Sequence, residues 1–537
     1  MKKKEDVVMK KFGKAIAWTA AAAMLLGLAG CGQGQTTVTD EGSGEMPKTL
    51  SIFCSMGNYT IKAGGKDNND MLPFQLMEEM TGCHVEWTHP AGSAAEEKFN
   101  LLIASGNLPD MIVYSWSGVA GGAAMYAEDD VIIPLASLID KYMPNLTAYN
   151  EEHPDVKKQY MDDSGEIYYI PFIRKDKELK VFQGPQIRQD WLEKLGLEMP
   201  KTPDELYEVL KAFKTRDPNG NGIADEIPMS GVKFEETAQA VDHLLWGFGT
   251  TNDFYVKDGK VAYGVLENEF EEGLGFITKL YSEELIDVDY LLNERDKMDN
   301  KVMNDKVGFV YSLQPGNYYN NMKDSGRKVV GTPHFAKTPG MNNVYDASYT
   351  QDATGTSIAV TTANKNAAGS LKWLDNFYGG KGMEYMNFGK EGVSFNWEND
   401  YPKLSDEYIF HNPNGKSQQE MCGLALGAYQ SNFPTLQDWR YYEQILTSWG
   451  KESIETWSES AKTDGILPSL NFTAEENEEI AQKMSQIKTY VSEQLNKIVI
   501  GNSNISELAA IRSKIQSMGI EDVLAIYNRA LERYNKR

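Results

Sequence analysis

The sequence predicts an α/β protein organised around a parallel sheet with both faces covered. Three observations carry that reading. Strand-like and helix-like segments alternate from Thr49 to Tyr114 in the order strand, helix, strand, helix, strand. The chain has 537 residues, 41% of them hydrophobic, which is enough core for two or more packed domains. A short apolar stretch near the start closes on Leu28-Ala29-Gly30-Cys31, which marks the rest of the chain for export.

The elements follow in order. Lys2, Lys3, Lys4, Lys10, Lys11 and Lys14 precede an apolar run from Ala15 to Ala29, too short to span a bilayer as a stable helix. A basic region, an apolar region and small residues before a cut site make a secretory signal over residues 1–30. The residue after the cut is Cys31, and the motif resembles that of bacterial lipoproteins, whose cysteine receives lipid; an ordinary signal peptide with Cys31 incidental is the competing reading. Two acyl chains give stable anchoring where one is marginal. Residues 31–47 are polar and rich in Gly, Ser and Thr, and read as a flexible tether.

Strands are then expected at Thr49–Cys54, His84–Thr88 and Met111–Tyr114, with helices at Leu72–Met80 and Ala94–Ser105 between them. Ligands of such sheets sit in the loops after the carboxyl ends of the strands, which begin here at Ser55 and Ser115. The helix Pro203–Phe213 has Thr202 as its cap, Pro203 at the first helical position and Glu205 completing a capping box. Leu206, Val209, Leu210 and Phe213 make its buried stripe. A second box, Thr473 with Glu476, opens a long helix that ends near Gly501, and Leu508, Ile511, Ile515 and Met518 keep helical step beyond it. Ser357–Val360 followed by Ala367–Tyr378 reads as a further strand and helix.

Net charge is −24, and removal of the basic leader makes the mature chain more acidic still. Such a surface repels nucleic acid and anionic headgroups, so neither is an expected partner. Besides Cys31 there are only Cys54, Cys83 and Cys422, an odd number without metal spacing, read as unbridged thiols.

The sharpest internal motif is Asp217-Pro218-Asn219-Gly220-Asn221-Gly222-Ile223-Ala224-Asp225-Glu226. Oxygen side chains fall at positions 1, 3, 5 and 9 with Gly at 6, as in an EF-hand calcium loop, and Ile223 offers its carbonyl at position 7. The loop departs from that pattern at position 12, which is Pro228, with Glu226 two positions earlier as the acidic substitute. A plain Asn-Gly turn is the competing reading. No GxSxG, HExxH or Walker sequence occurs, so no enzyme is expected. Trp116, Trp246 and Trp397 are candidates for stacking on sugar rings, with core packing as the alternative for each. Arg188 is the candidate donor fork for hydroxyls or a uronic carboxylate, with a structural ion pair as its alternative.

The segments Ile187–Leu197, Asp217–Pro228, Asp258–Gly264, Leu280–Asp287 and Ala530–Tyr534, with the lipid-attachment motif and tether, resemble extracellular solute-binding proteins of family 1. The likeness covers nearly the whole mature chain and is closest to lipoproteins that feed carbohydrate ABC importers, alginate-oligosaccharide binders among them. It implies a periplasmic-binding-protein-like fold of two discontinuous α/β lobes with a ligand cleft between them. The lobes fall at roughly 48–172 with 350–400, and 173–349 with 401–537. It implies a monomer on the outer face of the cell membrane, held by lipid at Cys31. Such a monomer delivers an oligosaccharide to permease subunits. It also implies a structural calcium ion on Asp217, Asn219, Asn221, Ile223, Asp225 and Glu226. Chain crossings are expected near Pro171–Lys175, 349–354 and Asn399–Leu404. A polysaccharide-degrading enzyme and a binder of peptides or other solutes are the alternatives.

Overall fold

The computed structural model describes residues 41–537 apart from 92–93, 120, 235–238, 339–340 and 342–350. The leader, Cys31 and most of the tether lie outside the described residues, as does part of the crossing expected at 349–354. In chain order the strands are β1 (Thr49–Phe53), β2 (His84–Thr88), β3 (Met111–Tyr114), β4 (Ile170–Arg174), β5 (Gln183–Arg188), β6 (Ile227–Met229) and β7 (Phe254–Lys257). They continue with β8 (Lys260–Tyr263), β9 (Val307–Leu313), β10 (Val329–Gly331), β11 (Ala353–Val360), β12 (Phe395–Glu398), β13 (Tyr401–Leu404) and β14 (Leu436–Gln437).

Two sheets organise the molecule. One has the order β14-β4-β11-β3-β1-β2 and the other β10-β5-β9-β6. In the first, β1 pairs parallel with β2 and β3, and β14 pairs parallel with β4. The expected parallel sheet is thus present with one exception. β11 runs antiparallel to both β3 and β4. The reason lies in the path of the chain. It leaves the first sheet at the carboxyl end of β4, builds the second sheet, and re-enters from that same edge. A strand that enters where its neighbours end has to run back against them. β5 is antiparallel to β9 and β10 in the second sheet for the same reason.

Each sheet has its own core. Leu50, Ile52, Met111, Ile170, Ile358 and Trp373 belong to the first. The second is larger, because the long helix Ala474–Val499 and the last two helices pack onto it through Ile487, Val491, Leu495, Ile511, Ile515 and Val523. The capping boxes form as the residues require. Glu205 N–H donates to Thr202 Oγ1 at 3.1 Å, and Glu476 N–H to Thr473 Oγ1 at 3.2 Å. The helix behind the first cap, Pro203–Thr215, buries Leu206, Val209, Leu210 and Phe213.

Residues 401–437 pack differently from the expected assignment to the second lobe. β14 joins the first sheet, and Leu404, Ile409, Cys422 and Ala425 share a cluster with Phe172 of β4. The stretch around Asn399–Leu404 is no crossing but the turn and second strand of the β12–β13 hairpin. Asn399 and Asp400 both take positive φ, the conformation a two-residue hairpin turn demands. The third connection between sheets leaves after Gln437 instead. Cys54, Cys83 and Cys422 are free and buried, and burial pushes all three thiols up to about 12. Cys54 follows the end of β1 and Cys83 precedes β2, at opposite ends of a parallel pair, so no bridge can join them. No helix among the described residues is long and apolar enough to cross a membrane.

Candidate binding cleft

Strand direction decides which side chains can meet a ligand. β1, β2, β3, β4 and β14 all end on one edge of the first sheet, followed by Cys54, His89, Ser115, Lys175 and Asp438. β6, β9 and β10 end on one edge of the second, followed by Ser230, Gln314 and Thr332, and β5 begins there at Gln183. The connection from Arg174 to Gln183 joins these two edges directly. A crevice outside the carboxyl ends of the strands is where open α/β sheets take ligands.

The connecting segments are fastened to each other by charge. Lys175 Nζ lies 2.8 Å from Asp438, Arg440 Nη2 lies 2.7 Å from the same carboxylate, and Lys180 Nζ lies 2.8 Å from Asp352. Burial alone would raise the Asp438 carboxyl, but Arg440 and Lys175 together hold it below the usual range. Trp439 N–H donates to Asp176 at 2.8 Å. Trp457 closes the seam from behind. Its indole donates to the Pro185 carbonyl at 3.1 Å and lies against Gly184 and Gly331, where an added Cβ would come within 2.6 Å and 2.8 Å of the ring.

Arg174 ends β4 at this edge. Its guanidinium lies over the Phe172 ring at 5.3 Å, and burial lowers its pKa, partly offset by Tyr441 and Tyr442. Among the described residues no carboxylate or other acceptor meets it. The Trp439 and Tyr442 rings sit 5.8 Å apart in the neighbouring segment, both half-buried.

A cavity of about 490 Å³ opens on the flank, between the loop after β3 and the start of the long helix. Tyr168, Tyr169 and Phe472 give it ring faces, while Asp162, Asn471 and Asn477 give it polar groups. Its two walls are tied: Asn471 Nδ2 donates to the Met161 carbonyl at 3.2 Å, and Arg533 Nε pairs with Asp163 at 2.6 Å.

The structure does not bring the three expected tryptophans together. Trp116 touches this cavity but is fully buried, its indole donating to the Ile112 carbonyl at 3.0 Å and its ring set edge-on to Phe99 and Tyr126. Trp246 lies in the second core, stacked on His243 at 4.2 Å and edge-on to Tyr311. Trp397 is 39% exposed on the β12–β13 hairpin, against Phe388 and Phe395. Arg188 is 1% exposed. It is held by Asp190 through Nε at 2.8 Å and Nη2 at 2.6 Å, pairs with Asp305, and lies over Trp191. The structural ion pair is therefore its role. β5 runs away from the cleft, so its last residue stands at the far edge. Arg174, Trp439 and Tyr442 were not singled out from the sequence. The signal for Arg174 was a cation ending an apolar strand at an expected crossing.

The 217–226 loop is also at the far edge, beside the starts of β6 and β9. Asp217 accepts from the N–H of Gly220 at 2.8 Å and Gly222 at 3.1 Å. Asn219 and Asn221 accept from the N–H groups of Asn221 and Ile223 at 3.0 and 2.7 Å. Asp225 accepts from the amides of both asparagines and pairs with Lys306 at 3.2 Å. Glu226 Oε1 is buried without a hydrogen-bond partner, and its carboxyl is raised by burial, with Asp217 and Asp225 adding to the shift. Among the described residues no three His, Cys, Asp or Glu side chains gather at ligating distance. The loop would rely on asparagine and carbonyl oxygens as well. An orphaned carboxylate oxygen amid hard oxygen donors fits a calcium ion.

Residues 59–384 match the family model for bacterial extracellular solute-binding proteins. The fructooligosaccharide ABC transporter substrate-binding protein FusA of Streptococcus pneumoniae is 29% identical over 495 residues, 87% of this chain and 88% of that one. Lipoprotein LipO of Bacillus subtilis is 29% identical over 295 residues, 55% of each chain. The polygalacturonan/rhamnogalacturonan-binding protein YtcQ of the same organism is 26% identical over 257 residues, 46% of each. Solved structures of FusA with kestose, and of its EF-hand mutant with fructo-nystose, align with a TM-score of 0.66 at 28% identity, covering 91% of this chain and 99% of that one.

Proposed function

This chain belongs to the family of bacterial extracellular solute-binding proteins, and we propose that it captures an oligosaccharide between its two lobes and presents it to an ABC importer. The observation that carries the reading is the meeting of the two carboxyl edges at the Arg174–Gln183 connection, with aromatic rings and polar groups beside it. Sugar rings stack on aromatic faces while their hydroxyls need donors and acceptors. The oligosaccharides named for FusA and YtcQ support the same class of ligand. The protein binds and hands over; it is not an enzyme.

The membrane attachment in this proposal is acyl lipid on Cys31, supported by the Leu28–Cys31 motif and by the name of LipO. Calcium in the 217–226 loop is structural, because the loop stands at the edge away from the cleft. Asp217, Asn219, Asn221, Asp225 and Glu226 would hold it through side-chain oxygens and Ile223 through its carbonyl. The protein works as a monomer, since each lobe is completed by its own chain.

Calorimetry with a panel of oligosaccharides tests the function, alongside chromatography of the sugar afterwards. The expected outcome is saturable one-to-one binding with the sugar recovered intact. Turnover would favour the enzyme, and no binding by any oligosaccharide would sink the reading. In cells, the full chain should partition with membranes and the Cys31→Ser variant should not.

A further inference from the structure

Arg174 stands apart from the arginines around it. Arg188, Arg295, Arg440, Arg512, Arg529, Arg533 and Arg537 each have a carboxylate within 4.0 Å. Arg216 and Arg327 have none, but Arg216 is exposed to solvent and Arg327 donates to Ser325 Oγ and to the Met303 carbonyl, each at 2.7 Å. Arg174 is half-buried and, among the described residues, meets neither carboxylate nor hydrogen-bond acceptor. A guanidinium carries five donors, and drawing it partly out of water without a counter-charge costs free energy.

Nothing nearby neutralises it. The neighbouring acid Asp438 is already shared by Lys175 and Arg440, and Asp176 accepts from the Trp439 backbone. What surrounds the guanidinium is aromatic: Phe172 beneath it, with Tyr441 and Tyr442 alongside. Tyr441 is turned inward, accepting from Gln437 at 2.6 Å. The Tyr442 hydroxyl and the Trp439 indole N–H have no partner among the described residues. A planar cation with free donors, ring faces and two free polar tips has the chemistry to hold a sugar that carries a carboxylate. A guanidinium fork takes a carboxylate through two parallel hydrogen bonds.

We propose that Arg174 is the selectivity residue of the cleft and that the ligand is an acidic oligosaccharide, whose uronate carboxylate supplies the missing counter-charge. The proposal rests on the oligosaccharide reading above and narrows it. A ligand that brings the anion also makes the closed cleft electrically complete, so its differential affinity favours closure. Neutral sugars would leave the guanidinium with hydroxyl partners only.

The test is calorimetry on the whole protein with trimers of galacturonate, glucuronate and mannuronate, the methyl esters of the same trimers, and neutral kestose. Wild type should bind one uronate trimer at least tenfold more tightly than its methyl ester. Arg174→Met should bring the acid down to the affinity of the ester, and Arg174→Lys should recover part of the difference in a salt-dependent way. Arg174→Met should also keep or raise the melting temperature, because it removes an unpaired cation; a structural arginine would lower it. Equal affinity of wild type for acid and ester overturns the proposal, and so does a Met variant that keeps the preference. Binding of kestose with no uronate bound overturns it while leaving the oligosaccharide reading intact. Failure of every sugar overturns both.

Discussion

His243 lies flat against Trp246 in the second core, 4% exposed, with its Nδ1 lacking a partner. Burial drives its pKa down to about 3, and the same holds for His334 beside Ser460. Both rings are therefore neutral in the folded protein, while in the unfolded chain they titrate near 6.5. Between those values the unfolded state binds the extra protons. Stability is full above about pH 6.5 and is lost as the pH falls below it, by at most about 1.4 kcal/mol per unit for each ring. Urea unfolding at pH 7.5 and 5.5 should show the loss, and His243→Phe should remove one ring's share of the slope. A slope that His243→Phe leaves unchanged would mean that this imidazole is not held neutral. Nothing in His243-Leu244-Leu245-Trp246 distinguishes such a core pair from a binding platform, because burial is decided by segments far along the chain. Arg188 was open to the same confusion. Its residue type suits a ligand, and only the direction of β5 shows that it ends on the wrong edge.

Elements whose signals are local could be read ahead of the structure. The Thr202–Glu205 and Thr473–Glu476 boxes name their own partners, and the helices behind them start where expected. The β12–β13 hairpin carried a local signal too, Asn399-Asp400 between two short alternating runs, and it outweighs a crossing. Strand direction in β5 and β11 has no local signal, since it depends on the edge from which the chain returns. The 217–226 loop is legible in spacing but not in occupancy. It joins the helix Pro203–Thr215 to β6, so an ion there would fix how that helix meets the sheet. An ion that binds only the folded state adds about 2.7 kcal/mol at a hundredfold excess over its Kd. Calcium should raise the melting temperature of the wild type, chelator should reverse the gain, and Asp217→Ala should abolish it. A wild type indifferent to both would reduce the loop to a turn held by its asparagines.

At the scale of the whole molecule, two ties between the lobes stand out among the described residues. One is the hinge, through Lys175, Asp438, Lys180 and Asp352. The other is the wall of the flank cavity, where the last helix reaches the first lobe. Arg533 spans Asp163 of the first lobe and Glu476 of the second, with Nη2 at 2.7 Å from the latter. Arg537, its side chain 1% exposed, pairs with Asp163 at 2.6 Å and donates to the Lys158 carbonyl at 2.8 Å. A single carboxylate thus anchors two arginines of the other lobe. Bodies joined at a hinge and again at one wall have fewer relative positions than bodies joined at a hinge alone. Asp163→Ala leaves both arginines without that anchor, so the unliganded lobes should spread. Small-angle scattering should then give a larger radius of gyration for the free variant than for the free wild type, with saturating ligand bringing the two together. The variant has to regain the lost arrangement from binding energy, so its affinity should fall by up to about tenfold, or about 1.4 kcal/mol. Identical radii without ligand would mean that the hinge alone sets the separation of the lobes, and that these arginines serve only the local packing of the last helix.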